Sequence, residues 1–422
     1  MSPQIFCHYM VGGIQESQAT IDVRQAKAIG FDAFALNIIS TDPWSINAIA
    51  YLFQAAAAIG FHLFLSFDMT HFAEPSQFLW LLNMYVGSPA YYHFNSLPFV
   101  STFYGGTLTF GLPLPQLGWH VKYKQALNAQ GIDTYFVPSF SDSTTPPSDM
   151  YETYPVADGL MSWDSAWPWA SEGKANLSCT TDEQYTSAAK AAKKTFMMPM
   201  SSFQFKHLDA SQNWYRRGEL ALAERIPQVL SLQPDFLQIQ TWNDAGESSY
   251  IGNVWPDTIG ADCAAYTDDF DHTGWQALII PFISAYKVGA TDSSEVVPLK
   301  GTVATGVFWY RSILTTATCA SDPLGKPNSW ENAEDVVNVA VLLSAAAVGA
   351  KINVYSGEAL IGSYEGVKGL NAWSIPGLQI GAVKVEVTSQ SGSTILISGT
   401  GSMDVAADAG ICNYNYQVME LK

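Results

Sequence analysis

Three stretches of the chain repeat one pattern: an Ala-rich helical segment, a glycine, then a short apolar run. They are Gly30-Phe31-Asp32-Ala33-Phe34-Ala35-Leu36, Gly60-Phe61-His62-Leu63-Phe64-Leu65 and Gly131-Ile132-Asp133-Thr134-Tyr135-Phe136-Val137, preceded by helical stretches at 21–29, 46–59 and 123–130. A glycine at such a junction takes the left-handed conformation that ends a helix, because it has no Cβ to clash. The run that follows is predominantly apolar, without polar alternation along its length, so the strand is expected to be buried on both faces, as parallel strands covered by helices are.

Counting similar runs gives eight: residues 5–11, 31–38, 61–67, 98–103, 134–137, 159–163, 196–200 and 236–241. Eight strand–helix units across roughly 290 residues predict an α/β fold of the (β/α)8 TIM-barrel type, with a doubly wound open sheet as the alternative. After Tyr286 the texture changes. Residues 289–294 form a polar linker, and alternation replaces helical periodicity in segments 303–310, 336–343, 352–356, 383–388 and 394–398. The expected organisation is a barrel over residues 1–290 and a C-terminal β-sandwich over 291–422.

In such a barrel the chemistry sits at the C-terminal ends of the strands. Those ends carry His8, Asn37, Asp68, Tyr104, Ser139, Asp164, Ser201 and, after the eighth run, Asp244 with Glu247. An Asp and a Glu where a buried strand stops are hydrogen-bonded or working, since burying them without partners is costly. Two nearby carboxyls push their proton affinities apart, leaving one protonated to donate and the other ionised to activate water or attack carbon. Asp68 projects toward the same mouth as a third carboxylate. Helix capping or ion pairing is the structural alternative for all three. Trp163, Trp167 and Trp169 crowd around Asp158 and Asp164 at the sixth strand end, and flat indole faces suit the apolar faces of sugar rings. Core packing accounts for Trp163 equally well. His8 and Tyr104, the latter before Gly105-Gly106, are expected in the same pocket, as are Trp242 and Asn243 beside the carboxylate pair.

Composition narrows the partners. With 38 acidic and 20 basic residues the chain repels nucleic acid, and aromatics at 13%, including 13 Trp and 20 Tyr, exceed what a core alone needs, which brings carbohydrate forward. GxSxG, HExxH, GxxxxGK[ST] and post-strand GxGxxG motifs are absent, so no cofactor is expected; a metal held by His8, Asp68 and Asp244 is the alternative. Five cysteines contain no CxxC pair. They are either reduced core thiols or, in a secreted protein, the disulfides Cys319–Cys412 and Cys179–Cys263 with Cys7 left over. Asn176-Leu177-Ser178 is an N-glycosylation acceptor sequence, and Met1-Ser2-Pro3-Gln4 leads into the first strand with no secretory signal before it. The most apolar stretch, 336–350, is interrupted by Asn338 and Ser344 and is shorter than the ~20 residues of a membrane span, so no membrane association is expected.

These residues resemble the fungal α-1,3-glucanases, or mutanases, of glycoside hydrolase family 71. The resemblance runs through His8-Tyr9-Met10-Val11-Gly12, Asp32-Ala33-Phe34-Ala35-Leu36-Asn37, Ser66-Phe67-Asp68-Met69, Val100-Ser101-Thr102-Phe103, the 158–169 block, Met198-Pro199-Met200-Ser201 and Thr241-Trp242-Asn243-Asp244-Ala245-Gly246-Glu247-Ser248, and covers essentially the whole chain. It implies a secreted or wall-associated enzyme that cuts α-1,3-glucan internally with inversion, and a barrel followed by a β-rich domain. Carried over by position, Glu247 is expected as general acid, Asp244 as general base and Asp68 as a supporting carboxylate, in a monomer. Cys7 stands where Ala is common, Ala245 where Tyr is common, and Phe203-Gln204-Phe205 where Trp or Tyr often occurs, which bears on subsite preference. A glucan-binding wall protein on an inactive barrel, or the same barrel acting on a mixed-linkage α-glucan, are the alternatives.

Overall fold

The computed structural model describes residues 3–422. Parallel strands β1 (Gln4–Met10), β2 (Ala33–Ile38), β3 (His62–Asp68), β4 (Leu97–Phe103), β5 (Tyr135–Phe136), β6 (Gly159–Met161), β7 (Thr195–Ser201) and β8 (Phe236–Gln240) form one curled sheet. Their order is β5-β4-β3-β2-β1-β8-β7-β6. The sheet curls far enough for its end strands to meet, where Asp158 N donates to Phe136 O at 2.8 Å and Met161 N to Pro138 O at 3.0 Å. β5 is short, but its hydrogen bonds to β4 continue past Pro138, with Val137 N donating to Val100 O and Ser139 N to Thr102 O, both at 2.9 Å.

Gly30, Gly60 and Gly131 have φ of 106°, 66° and 77°, so each expected helix cap is present. The first two close α1 (Glu16–Ile29) and α2 (Pro43–Ile59). Inside the curl, Phe6 packs against Phe64, Phe99 and Phe236 with ring centroids 5.0, 5.5 and 5.7 Å away. Because side chains alternate along a strand, His8 and Met10 follow Phe6 on the inward face. A dry aromatic layer therefore closes the N-terminal end, and polar groups gather at the other.

From residue 304 onward the chain forms two antiparallel sheets. One is ordered Gly369–Pro376, Val336–Leu343, Ala304–Arg311, Tyr416–Leu421; the other is ordered Ala359–Glu365, Lys351–Ser356, Val383–Thr388, Ile395–Thr400. They pack face to face over Val337, Val339, Val341, Val354, Val385 and Val387. Three of these strands lie outside the expected segments. Ala359–Glu365, for example, is an edge strand with no fully buried residue, so its apolar residues show no two-residue period. The far face of the first sheet, with Trp309, Leu342, Tyr416 and Val418, joins the core of the curled sheet. Trp309 meets Trp275 at 4.6 Å and its indole N–H donates to Glu219 O at 2.7 Å.

The Cys319–Cys412 disulfide is formed, with Cα atoms 5.4 Å apart. The expected Cys179–Cys263 bridge is not: both are free thiols, as is buried Cys7. Cys179 precedes the helix Thr180–Ala192 that follows β6, whereas Cys263 lies in Ala261–Thr267 after β8. Two helices that follow non-adjacent strands hold the sulfurs apart. No described helix is long and apolar enough to cross a membrane.

Candidate active site

At the C-terminal rim the turn after β8 is built from its own side chains. Asp244 N donates to Thr241 Oγ1 at 2.8 Å, and Glu247 N donates to Asp244 Oδ1 at 3.0 Å. Asn243 ties the turn to the end of β1, accepting from Met10 N at 2.8 Å and donating to Met10 O at 3.0 Å. Tyr266 Oη donates to Gly246 O at 2.8 Å from behind. The turn holds both carboxylates toward a cleft of about 820 Å³.

The environments of the two carboxyls differ. Gln204 Nε2 donates to Glu247 Oε2, and Lys206 Nζ stands 3.8 Å from Oε1. Asp244 opens onto the cleft but is enclosed by protein on its other sides. Its pKa is pushed up to about 7, first by this enclosure and then by the charge of Glu247, against the opposing pull of the Glu247 and Gly246 amides and of Lys206.

Of the residues expected from the sequence, His8, Asn37, Asp68, Tyr104, Trp163, Asp164, Asn243, Asp244 and Glu247 line this cleft. Asp68 Oδ1 accepts from Thr70 N at 3.0 Å and from Thr70 Oγ1 at 2.6 Å, which fixes its carboxylate at the end of β3. His8 lies edge-on to Trp163 at 4.8 Å, and burial lowers its pKa to about 3, so it is a neutral imidazole at the cleft floor. No three His, Cys, Asp or Glu side chains among the described residues are grouped to hold a metal ion, so His8, Asp68 and Asp244 do not form the alternative metal site.

Three expected contacts lie elsewhere. Trp242 is fully buried beneath the turn, 5.2 Å from Phe34, and Gly252 packs so closely that a Cβ there would come within 2.2 Å of the indole. An apolar ring next to a buried strand end belongs to the core, and the cleft takes the polar neighbour Asn243 instead. Trp167 and Trp169 are outside the lining of the cleft. They flank the Arg216 guanidinium, which lies 5.6 and 5.3 Å from their ring centroids and reaches Asp164 Oδ1 at 3.1 Å. These two indoles position a cation at the rim.

Sequence reasoning missed the hairpin that supplies that cation. Gln204–His207 and Asn213–Arg216 pair antiparallel after β7 and bring Gln204, Lys206, Trp214 and Arg216 to the cleft. A two-residue alternation of polar and aromatic residues from Gln204 to His207 is the signal the sequence carries, and it is shorter and more polar than the apolar runs of the parallel strands.

The family model described as glycosyl hydrolase family 71 matches residues 2–422. A Schizosaccharomyces pombe protein named glucan endo-1,3-alpha-glucosidase is 33% identical over 97% of this chain and 93% of its own length. The ascus wall endo-1,3-alpha-glucanase of the same yeast is 28% identical over 98% and 95%, and a Penicillium rubens mutanase is 29% identical over 99% and 88%. Among solved structures, the GH99 endo-alpha-mannosidase from Bacteroides thetaiotaomicron superposes with a TM-score of 0.52 at 10% identity, over 68% of this chain and 98% of that one, a likeness of fold alone.

Proposed function

Because the chain belongs to glycosyl hydrolase family 71, we propose that it is a secreted, wall-directed enzyme that cleaves α-1,3-glucan internally. The single observation that carries this is the Asp244–Glu247 pair held at the mouth of a cleft large enough for several sugar units. Relatives named for endo-1,3-alpha-glucan cleavage support the substrate. In this reading the curled sheet is a (β/α)8 barrel; its cyclic strand order and the two hydrogen bonds between β5 and β6 favour that over an open sheet. Residues 291–422 serve as its accessory domain, and the enzyme works as a monomer without a cofactor.

Cleavage by inversion needs a protonated carboxyl at the leaving oxygen and an ionised one beside the attacking water. The sequence expectation placed the proton on Glu247. The surroundings favour the reverse: Asp244 is enclosed and holds its proton to about pH 7, whereas Glu247 is met by an amide donor and an ammonium group. We therefore assign Asp244 as general acid and Glu247 as the base that activates water, with Asp68 orienting sugar hydroxyls. Incubation with insoluble α-1,3-glucan should release oligosaccharides whose first-formed anomers are β, followed by NMR. α-Anomers at the earliest time points overturn inversion, and binding without product returns the inactive-barrel alternative. EDTA leaves the rate unchanged.

Two pH effects follow. Turnover falls as pH rises through about 7, because Asp244 then loses the proton it must donate. Stability changes in the same window. A carboxyl whose folded pKa lies above its unfolded value binds more protons in the native state, so stability falls as pH climbs from about 4 through about 7. Asp244→Asn removes that cost. It should stabilise the protein by roughly 1–2 kcal/mol at pH 8 and by little at pH 4, a difference readable by denaturant titration at the two pH values.

A further inference from the structure

The hairpin that approaches Glu247 has two faces. Along Gln204–His207, the side chains of Gln204 and Lys206 reach Glu247, while Phe205 and His207 turn the other way. On that other side His207 lies between two acceptors, with Nδ1 2.7 Å from Asn213 Oδ1 and Nε2 2.9 Å from Asp322 Oδ2. The Asn213 amide is oriented by its own donation to Leu324 O at 3.1 Å, which turns Oδ1 to the imidazole. Both ring nitrogens thus face oxygen. Side-chain exposure is 3% for His207 and 1% for Asp322, so the pair is shut off from water.

Asp322 is bound to both halves of the disulfide. Its backbone N donates to Cys319 O at 3.0 Å, and its Oδ2 accepts from Cys412 N at 2.7 Å. The segment it begins continues along the hairpin, where Asn328 N donates to Asn213 O at 3.0 Å and Tyr215 N to Asn328 O at 2.9 Å. A continuous path runs from Cys319–Cys412 through Asp322 and His207 to the strand that holds Glu247.

We propose that the disulfide-closed loop of the C-terminal region is part of the catalytic apparatus, with Asp322 and His207 as positioning residues that fix Gln204 and Lys206 against Glu247. This rests on the reading of Asp244 and Glu247 as the working pair. The titratable groups that face the pair are Lys206 from the hairpin, Cys263 and Tyr266 from the helix Ala261–Thr267, and Tyr104, while Arg216, on the second strand of the hairpin, is paired with Asp164. Of these, only Lys206 rides on the strand that carries His207.

The test compares Asp322→Asn, Lys206→Met and the double variant in the full chain, by hydrogen–deuterium exchange at residues 204–216 and by the pH profile of kcat on α-1,3-glucan. In Asp322→Asn the hairpin amides should exchange faster, kcat should fall on the order of tenfold or more, and the alkaline limb should move to higher pH. Lys206→Met should move the limb the same way, since its charge no longer pulls on Asp244. The double variant should lose no more than the larger single loss, because both act through one contact. Unchanged hairpin exchange, additive losses, or a slower enzyme with an unmoved limb each overturn the proposal. If Asp322→Asn does not fold, thiol reduction of Cys319–Cys412 in the folded protein should give the same signature. Should the wild type not cleave α-1,3-glucan, the functional reading falls, and faster or unchanged exchange still decides for or against the clasp.

Discussion

Glu247→Gln and Asp244→Asn each lower turnover of α-1,3-glucan by about 10²–10⁴-fold, the range for losing one general acid or base, with folding intact by circular dichroism. The two variants part company on a glucosyl fluoride, whose leaving group needs no proton. Asp244→Asn should recover most of its rate on this substrate, and Glu247→Gln should not. The opposite pattern restores Glu247 as the acid. The allocation rests on surroundings: Asp244 is enclosed beside the charge of Glu247, while Glu247 receives Gln204 and faces Lys206. Full activity in either variant removes the pair from the mechanism altogether.

Asp182→Ala should be the most damaging substitution away from the cleft, at about 3–5 kcal/mol, because it leaves Arg225 buried without its counter-charge. Asp182 and Arg225 are both fully buried, with 2.6 Å between Oδ2 and the guanidinium. Arg225 Nε also donates to Pro199 O at 2.8 Å, and Asp182 Oδ1 accepts from Ser165 Oγ at 2.7 Å and Ser162 Oγ at 3.1 Å. The pair joins the helices after β6 and β7 to the loop that carries Trp163 and Asp164. Thermal unfolding should show a midpoint lower by roughly 3–6 °C, and activity at low temperature should fall as that loop loosens. Replacing both partners with apolar residues of similar volume should cost much less than Asp182→Ala alone. An equal cost rules out the stranded charge as the cause.

Strands such as Ala33–Ile38 and His62–Asp68 were legible because burial on both faces makes most of their residues apolar, and glycine marks each entry. The carboxylates were legible because ionisable groups at the end of such a run are conspicuous. What the sequence concealed is of two kinds. Trp242 reads like a sugar platform, yet whether an indole faces a cleft or a core depends on packing partners such as Phe34 and Gly252 that are distant in the chain. Trp167 and Trp169 needed Arg216, a residue on the unanticipated hairpin, before their role could be seen. The disulfides divide in the same way. Cys319 and Cys412 belong to segments brought together by Asp322, while nothing in the spacing of Cys179 and Cys263 reports that their helices follow strands that are not neighbours.

The first C-terminal sheet presses Trp309, Tyr416 and Val418 into the same core as the parallel strands. Such a half is not a transferable cassette. A gene truncated near residue 290 would encode a protein with a wide greasy wound, depriving Trp275 and Phe203 of their covering, and the severed sheets would carry the matching one. A cut near residue 290 therefore exposes matching apolar faces on both parts, so neither is expected to stay dissolved without the other.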